Sequence, residues 1–234
     1  MKVLALISGG KDSMLALHEI AEEHEIVRLL GVIPHSDESY MFHSVNLHML
    51  DVIADCMGLP ITKITVSGME EIEVYEVAEQ LKNIEADAMC VGGIESSYQK
   101  KRFKKICKIA GMKLISPLWG RSAERIMEKV AKDFEAIIVS VSAMGLEDKF
   151  LGKKIDEECL EELKKLNKRY GIHLAGEGGE FETLVLDAPL YKRKIVVLES
   201  EKIWNGMSGT YVIKKFTTLQ KSFSKISKTI TKKF

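Results

Sequence analysis

The feature that most constrains the fold is an alternation, in the first half of the chain, between short apolar segments of strand length and amphipathic helical segments. In the helical segments, apolar residues recur every three or four positions. The strand-like segments are residues 3–7, 26–33, 61–66 and 88–91. The helix-like segments are residues 14–22, 45–57, 72–83 and 98–110. This alternation predicts a doubly wound α/β fold with a mostly parallel sheet, whose ligands bind beyond the carboxyl ends of the strands.

The second half of the chain is less regular. The predicted helices there are residues 122–132 and 159–170, and the predicted strands are residues 136–141, 184–186, 194–198 and 210–213. A chain of 234 residues can form one large domain or two smaller ones. We therefore predict a first domain over residues 1–120 and a second, smaller α/β domain over residues 121–213.

Positive and negative charges are equal in number but unevenly distributed. The chain has 34 basic and 34 acidic residues, and residues 214–234 contain seven Lys and no acidic residue. The remainder therefore carries a net charge of −7. Stable nucleic-acid binding normally requires a basic surface, so this balance argues against it.

Residues 214–234 also have a helical spacing of apolar side chains. The apolar residues are Leu219, Phe223, Ile226, Ile230 and Phe234. The spacing predicts a basic amphipathic helix, which we expect to pack on the body or on a partner such as a second copy of the chain, and not on a membrane.

The cysteines and the apolar segments exclude several classes of protein. The four cysteines form no Cys-x-x-Cys pair, which excludes the common zinc, iron–sulfur and dithiol patterns. No apolar stretch approaches the roughly 20 residues that a membrane span needs. The apolar residues 3–7 are too few for a signal sequence, so we expect a cytoplasmic protein.

A glycine pair lies between the first predicted strand and the first predicted helix, in the sequence Ser-Gly-Gly-Lys-Asp-Ser at residues 8–13. Glycines allow a sharp turn, and amides at a helix N-terminus attract anions. The alternative is a tight turn in which Asp12 or Ser13 caps the helix. The Walker pattern fails at Asp12, where it needs Ser or Thr, and at Ala5, where it needs Gly. The dinucleotide pattern G-x-G-x-x-G is absent as well.

The six residues resemble the pyrophosphate loop, Ser-Gly-Gly-x-Asp-Ser, of the adenine-nucleotide alpha-hydrolase-like (HUP, PP-loop) superfamily. The resemblance implies that ATP is cleaved between its α and β phosphates and that an oxygen of the substrate is adenylated. It implies that the leaving pyrophosphate is held by Ser8, Gly9, Gly10, Asp12 and Ser13. Mg²⁺ would share the charge of the pyrophosphate, and Lys11, at the variable position, would support it electrostatically.

Four further segments resemble one branch of this superfamily, the diphthine–ammonia ligases. They are Ser-Tyr-Met-Phe-His at residues 39–43, Gly-x-Ile-x-Ser-x-Tyr-Gln at residues 92–99 together with Arg102, Pro-Leu-Trp at residues 117–119, and Glu-Gly-Gly-Glu-Phe-Glu-Thr at residues 177–183. The matches extend from Ser8 to about Pro189, but Lys104 stands where the family has an acidic residue. On this resemblance, residues 1–120 bind ATP and residues 121–213 bind the substrate.

The resemblance implies roles for individual residues. Nucleotide contacts are implied for His43, Gly92 and Arg102, and substrate contacts for Tyr98, Gln99, Trp119, Gly178, Gly179, Phe181 and Thr183. Structural alternatives remain, because His43 could begin a helix, Arg102 could be a solvated side chain and Trp119 could belong to the core.

The implied reaction is the formation of an amide. Diphthine, a modified histidine of elongation factor 2, bears a carboxylate and a trimethylammonium group. ATP would adenylate the carboxylate, and ammonia would displace AMP to give diphthamide. Asp12 and three glutamates, Glu177, Glu180 and Glu182, are the catalytic candidates.

Three carboxylates within six residues would repel one another unless a cation or hydrogen-bond donors share the site. The candidate cations are Mg²⁺, ammonium and the quaternary ammonium, which could also lie on Trp119 or Phe181. One carboxylate could remove a proton from ammonium. The alternative is a polar turn with solvated glutamates.

Two other functions remain open. A tRNA-modifying enzyme that uses the same adenylation would favour a basic cleft and paired cysteines. A non-catalytic, regulatory ATP-binding module would give no reason for the glutamates to share a cleft with residues 8–13.

Overall fold

A five-stranded parallel sheet forms the first half of the protein. The computed structural model describes residues 1–35, 45–69 and 71–221. The strands of the first sheet are β1 (Lys2–Leu6), β2 (Glu25–Pro34), β3 (Ile61–Val66), β4 (Ala88–Cys90) and β5 (Lys113–Ile115). They pair in the order β3-β2-β1-β4-β5, and every pairing is parallel. The predicted doubly wound α/β fold is confirmed.

Helices cover both faces of this sheet because its central strand is apolar on both sides. The helices are α1 (Lys11–Ile20), α2 (Met49–Met57), α3 (Ile72–Leu81) and α4 (Ser97–Ala110). On one face of β1, Val3 packs in a core with residues of α1 and α2. On the other face, Leu4 packs in a second core with residues of α3 and α4. All of the strand's interior side chains are thereby removed from water, as is usual for parallel strands.

The strand order reverses between β1 and β4, and this reversal places a crevice at their carboxyl ends. Within the sheet, β2 and β3 lie on one side of β1, and β4 and β5 lie on its other side. Connections that diverge in this way leave open space beyond the strand ends. The segments after β1 and β4 border that space.

An antiparallel sheet forms most of the second half. Its strands are β6 (Glu135–Val141), β7 (Phe181–Asp187), β8 (Arg193–Trp204) and β9 (Gly209–Gln220), in the order β7-β6-β9-β8. Two α-helices, α5 (Ala123–Asp133) and α6 (Glu157–Tyr170), and a 3₁₀ helix at Asp148–Phe150 complete this half. One apolar core includes Leu15 of α1, Met127 of α5 and Leu184 of β7, so the two halves share buried side chains. The predicted division at residue 120 stays a prediction.

The helix predicted for residues 214–234 is wrong over its first residues, which belong to β9. Phe216 pairs with Val197 and Leu219 pairs with Lys194 in the ladder with β8. The basic residues of this part also bind across the ladder, since Lys214 pairs with Glu201. Pairing with β8 runs from Gly209 to Gln220, and such tertiary contacts override the helical spacing, because local propensity is a weak determinant of structure. Residues 222–234, with Phe223, Ile226, Ile230 and Phe234, lie outside the described residues.

None of the helices in the described part of the chain combines the length and the apolar character required to cross a bilayer.

Candidate functional site

Residues 8–13, called the phosphate loop from here on, form a tight turn from β1 into α1. Gly9 has a φ of +80°, and a Cβ there would lie 2.9 Å from Ile53 Cδ1 and 3.0 Å from Leu184 Cδ1. Both the conformation and the surrounding space therefore require glycine at this position. Helix α1 begins at Lys11 with Gly10 as its N-cap, so Asp12 and Ser13 lie within the first turn and neither is the capping residue.

Hydroxyl groups of the phosphate loop bind its own backbone. The Ser8 amide donates to Ser13 Oγ at 3.2 Å, and the Ser13 hydroxyl donates to the Gly10 carbonyl at 3.0 Å. The Gly10 amide donates to Ser8 Oγ at 3.3 Å. These bonds close the loop and direct it toward the crevice. Amides in the first turn of a helix lack partners within that helix and can bind an anion.

Gly92 follows β4 and packs directly on the first turn of α1. A Cβ on Gly92 would lie 2.5 Å from the Ser13 amide nitrogen and 2.6 Å from the Asp12 carbonyl carbon. Both of these are backbone atoms, which cannot move aside as a flexible side chain can. The absence of a side chain at Gly92 therefore lets the segment after β4 close against the phosphate loop.

A second segment, residues 173–183, follows α6 and includes the first three residues of β7. It is called the Glu-rich loop. It contacts the phosphate loop through Lys11, which is buried. The Lys11 amide donates to Thr183 Oγ1 at 3.0 Å, and Lys11 Nζ donates to the Ala175 carbonyl at 2.5 Å. Lys11 Nζ also pairs with Asp12 at 2.7 Å. Lys11 thus ties the two loops together, which is a more specific role than the supporting one predicted for it.

Glu177 binds the segment that leads into α4. Its Oε1 accepts from the amides of Ile94, Glu95 and Ser96 at 3.2, 3.0 and 3.1 Å. A carboxylate that accepts three amide bonds is firmly held. This carboxylate therefore fixes the position of the Glu-rich loop relative to the start of α4.

Glu180 binds the backbone of its own loop. Its Oε1 accepts from the His173 amide at 2.8 Å, and its Oε2 accepts from the Gly178 amide at 2.9 Å. On the outer side of the loop, the Ser142 hydroxyl donates to the Gly179 carbonyl at 2.7 Å. Glu180 therefore stabilises the turn that brings Glu177 to its partners.

The two loops line one cleft, which opens at the carboxyl ends of β1 and β4. Its polar wall contains most of the residues predicted from the motifs. These are Ser8, Gly10, Lys11, Asp12, Ser13, Gly92, Gln99, Glu177, Gly179, Phe181, Glu182 and Thr183. Of the three glutamates, Glu177 and Glu182 line the cleft, and Glu182 is half-buried.

An apolar wall also lines the cleft, and sequence reasoning missed it. It includes Val32 at the end of β2, Val45 and Leu47 in the turn before α2, and Phe103 on α4. Val45 and Leu47 were predicted in helix, but α2 begins only at Met49. The available signal was the rule that ligands bind beyond strand ends, which points to Val32. Phe103 lies one helical turn after Gln99 and shares its side of α4.

Several predicted residues lie outside the set of described residues that line the cleft. The Arg102 guanidinium stacks on the Tyr98 ring at 3.3 Å and pairs with Glu71 at 2.6 Å, which leaves its predicted phosphate contact without support. Trp119 carries Lys100 Nζ over its ring at 3.6 Å. Gly9 of the phosphate loop and Gly178 and Glu180 of the Glu-rich loop are also outside the cleft lining. His43 falls outside the described residues.

All four cysteines are buried and unpaired. Burial raises the pKa of Cys90 and of Cys159 to about 12, since a thiolate is poorly solvated there. These thiols stay protonated at neutral pH and are poor nucleophiles. The arrangement disfavours the sulfur chemistry that a tRNA-modifying relative would use.

Carboxylates in the cleft could share a cation with a bound anion. Asp12 and Glu182 both line the cleft, and carboxylate oxygens are the ligands that Mg²⁺ prefers. Within the described residues, no group of three or more His, Cys, Asp or Glu is arranged as a metal site. Mg²⁺ is commonly held by one or two carboxylates together with substrate phosphates, and this donor set fits that pattern.

The fold and the cleft define an α/β protein of the doubly wound class, with a glycine-rich loop at its topological switch point. Comparison with known proteins identifies the family. The family model for the diphthamide synthase N-terminal domain matches residues 1–114, and the model for the C-terminal domain matches residues 122–219.

Curated relatives agree with this match. The chain is 42% identical over 228 residues to a rat protein and 39% identical over 228 residues to a human one. Each alignment covers 87% of this chain and 85% of the relative, and both relatives are named diphthine–ammonia ligase. The chain belongs to the diphthamide synthase family, a family of ligase enzymes.

Proposed function

We propose that this protein is an ATP-dependent amide ligase that converts diphthine on elongation factor 2 to diphthamide. It uses ammonium and releases AMP and pyrophosphate by way of an acyl-adenylate. The observation that carries the proposal is the connection of the phosphate loop to the Glu-rich loop through Lys11, from the Thr183 hydroxyl to the Ala175 carbonyl. Such a reaction needs the α-phosphorus of ATP and the substrate carboxylate in one cleft, and this connection supports that arrangement.

The phosphate loop suits the diphosphate of ATP. Its turn brings the amides of the first turn of α1 and the hydroxyls of Ser8 and Ser13 to the cleft. Gly10 lets Thr183 pack against the phosphate loop, because a Cβ there would lie 3.2 Å from the Thr183 carbonyl oxygen. Mg²⁺ held by Asp12 and the phosphate oxygens would neutralise the charge of the leaving group. The apolar wall around Phe103 suits the purine ring.

The first step joins the substrate to AMP. An oxygen of the diphthine carboxylate attacks the α-phosphorus, the bond from that phosphorus to the oxygen bridging to the β-phosphorus breaks, and pyrophosphate leaves on the phosphate loop. In the second step ammonia attacks the acyl carbon, and AMP leaves with the electron pair of the broken C–O bond. A carboxylate must take up the proton that ammonium loses.

The glutamates divide these tasks. Glu177 and Glu180 are positioning residues, since their carboxylates bind backbone amides. Glu182 lines the cleft and is the proposed base for ammonium. Both aromatic candidates for the trimethylammonium group already face a lysine. Lys100 Nζ lies over the Trp119 ring, and Lys11 Nζ lies 5.4 Å from the centre of the buried Phe181 ring.

The direct test supplies diphthine-bearing elongation factor 2, ammonium and Mg-ATP to the purified protein. The expected products are diphthamide, AMP and pyrophosphate in equal amounts. ADP as the product would contradict the proposed bond cleavage. ATP binding without turnover would favour a regulatory module, and AMP formed only with tRNA would favour a tRNA-modifying enzyme.

Substitution of Asp12 tests the phosphate loop within the same assay. Asp12→Asn keeps the size of the side chain but removes its charge, so pyrophosphate release should fall about 1,000-fold. Glu23→Gln, an exposed acid just beyond α1, is the matched control and should leave the rate unchanged. Equal rates in the two variants would remove Asp12 from the site.

A further inference from the structure

His173 lies at the centre of the Glu-rich loop, and no motif drew attention to it. Its ring Nδ1 accepts from the Ala175 amide and from the Glu177 amide, each at 3.2 Å. Its own amide donates to Glu180 Oε1 at 2.8 Å. Three hydrogen bonds of one residue therefore define the turn that carries Glu177 and Glu180.

The two partners of the ring determine where its proton lies. Both partners of Nδ1 are amide donors, so Nδ1 must be an acceptor and cannot carry a proton. A neutral imidazole then carries its proton on Nε2, which lies 3.9 Å from Glu95 Oε2. A proton on Nδ1 would face two other N–H groups and would break both bonds.

The residues that this ring holds connect the Glu-rich loop to the phosphate loop and to the segment that leads into α4. The Ala175 carbonyl accepts from Lys11 Nζ at 2.5 Å. The Glu177 carboxylate accepts from the three amides that lead into α4. Loss of the bonds at Nδ1 would release both connections to the Glu-rich loop at once.

The two nitrogens of the ring face groups of different kinds. Glu95, before α4, faces Nε2, and Glu177 and Glu180 belong to the same loop. Nδ1 faces two amide donors, and Lys11 of α1 reaches the loop at Ala175. A proton placed on Nδ1 would therefore alter the loop.

We propose that His173 is a positioning residue, which holds residues 175–177 of the Glu-rich loop in place only while its ring is neutral with the proton on Nε2. Protonation at Nδ1 releases these residues, while the bond from the Lys11 amide to Thr183 persists, so that amide formation falls as the pH decreases. The consequence for amide formation rests on the proposed function. The tautomer and the loop geometry do not depend on that function.

The first experiment tests the geometry without any substrate. The ¹⁵N resonances of the His173 ring in the unmodified protein should show an unprotonated Nδ1 and a protonated Nε2 at neutral pH. The amides of Ala175 and Glu177 should be protected from hydrogen exchange, and their protection should fall about tenfold or more when the ring becomes charged. A proton on Nδ1 at neutral pH, or protection that is insensitive to ring protonation, would overturn the proposal.

The second experiment compares two replacements of the ring. The Oδ1 of His173→Asn can accept hydrogen bonds at the place of Nδ1 and does not titrate, whereas His173→Leu offers no acceptor. The Asn variant should keep the protection of both amides at all pH values between about 5 and 8, and the Leu variant should lose it throughout. Equal protection in the two variants would contradict the role of the acceptor.

Activity provides the last arm of the test. The Asn variant should keep the neutral-pH rate within about threefold and lose the part of the acid decline that His173 causes, whereas the Leu variant should lose about tenfold or more. An unchanged acid decline in the Asn variant would refute the switch. Absence of ligase activity in the unmodified protein would refute the proposed function and leave the NMR result standing.

Discussion

The phosphate loop and the Glu-rich loop line the same cleft, but they are held in different ways. The bonds that close the phosphate loop join residues two to five positions apart, such as Ser8 and Ser13. The Glu-rich loop binds partners 82, 83 and 172 positions away, including Glu95, Ile94 and Lys11. The bonds that close the first loop are local, whereas the bonds that place the second loop against the rest of the cleft join distant segments.

This difference determines how each loop should respond to change. A local loop keeps its conformation as long as its strand and its helix persist, so substitutions there act on ligand binding. A loop held from a distance transmits a change at one contact to its other contacts, because the bonds are made jointly. We therefore expect effects on loop geometry from Glu177 and effects on chemistry from Glu182.

The largest expected effect comes from Gly92. It packs on the first turn of α1, and it lies two residues before the first amide that Glu177 binds. Gly92→Ala places a Cβ 2.5 Å from the Ser13 amide nitrogen, so the phosphate loop must move. We expect a loss of roughly 4 kcal/mol in the free energy of unfolding, measured by chemical denaturation. Gly93→Ala is the matched control, because the nearest atom to its Cβ would be 3.8 Å away. Similar losses in both variants would contradict the close packing.

His18 tests how α1 is joined to the segment after β7. Its Nδ1 donates to the Met14 carbonyl at 2.7 Å, and its Nε2 accepts from the Leu190 amide at 3.1 Å. Burial lowers the pKa of His18 from 6.5 to about 4. The unfolded chain therefore binds the additional proton between these values, so stability is complete above about pH 6.5 and is lost as the pH falls toward 4.

The shift in the pKa of His18 corresponds to about 3 kcal/mol. Between pH 8 and pH 4, the unmodified protein should lose about this much more stability than His18→Gln, as measured by chemical denaturation. Other titrating groups cancel in the difference between the two proteins. Parallel stability curves would show that His18 contributes nothing to the pH dependence.

A comparison of Gln substitutions at two glutamates, Glu182 and Glu180, separates chemistry from loop geometry within the Glu-rich loop. Glu182→Gln should slow amide formation about 100-fold, because the proposed base is lost, and it should leave ATP affinity unchanged. Glu180→Gln should slow it less than about tenfold, since the amide oxygen still accepts one of its two backbone bonds. Single-turnover kinetics and calorimetry measure the two quantities. A larger effect at Glu180 would reverse the assignment.

The smallest expected effect is that of neutralising Glu177. Glu177→Gln retains an oxygen for the amides of Ile94, Glu95 and Ser96, but the bonds lose their charge assistance. We expect a loss of about 1.5 kcal/mol in stability, together with weaker hydrogen-exchange protection of these three amides. Unchanged protection would mean that the carboxylate does not hold this segment.

The fold could be predicted to a large extent because its signals are local. The third strand, residues 61–66, has the predicted bounds, and the bounds of β1, β2 and β4 differ from prediction by one residue. The edge strand β5 was not predicted as a strand. Helix α1 was predicted to begin at Met14 but begins at Lys11, since Gly10 takes the N-cap position. Leu219 was assigned to a helix because its spacing fits one, whereas pairing with Lys194 decides its conformation.

The site could be predicted only in part. Its motifs identified the family, which the comparisons confirm, and they named most residues of the polar wall. They did not show that Arg102 turns to Glu71, or that Val32 and Phe103 form an apolar wall. A motif names a residue, but the direction of a side chain depends on neighbours from other segments.

The sequence by itself determined the alternation of strands and helices and the turn from β1 into α1, because both depend on residues close together in the chain. The tertiary structure decided which backbone amides Glu177 and Glu180 bind, and it made Lys11 the connection between the two loops. A hydrogen bond between residues more than 80 positions apart exists only after folding has brought its two atoms together.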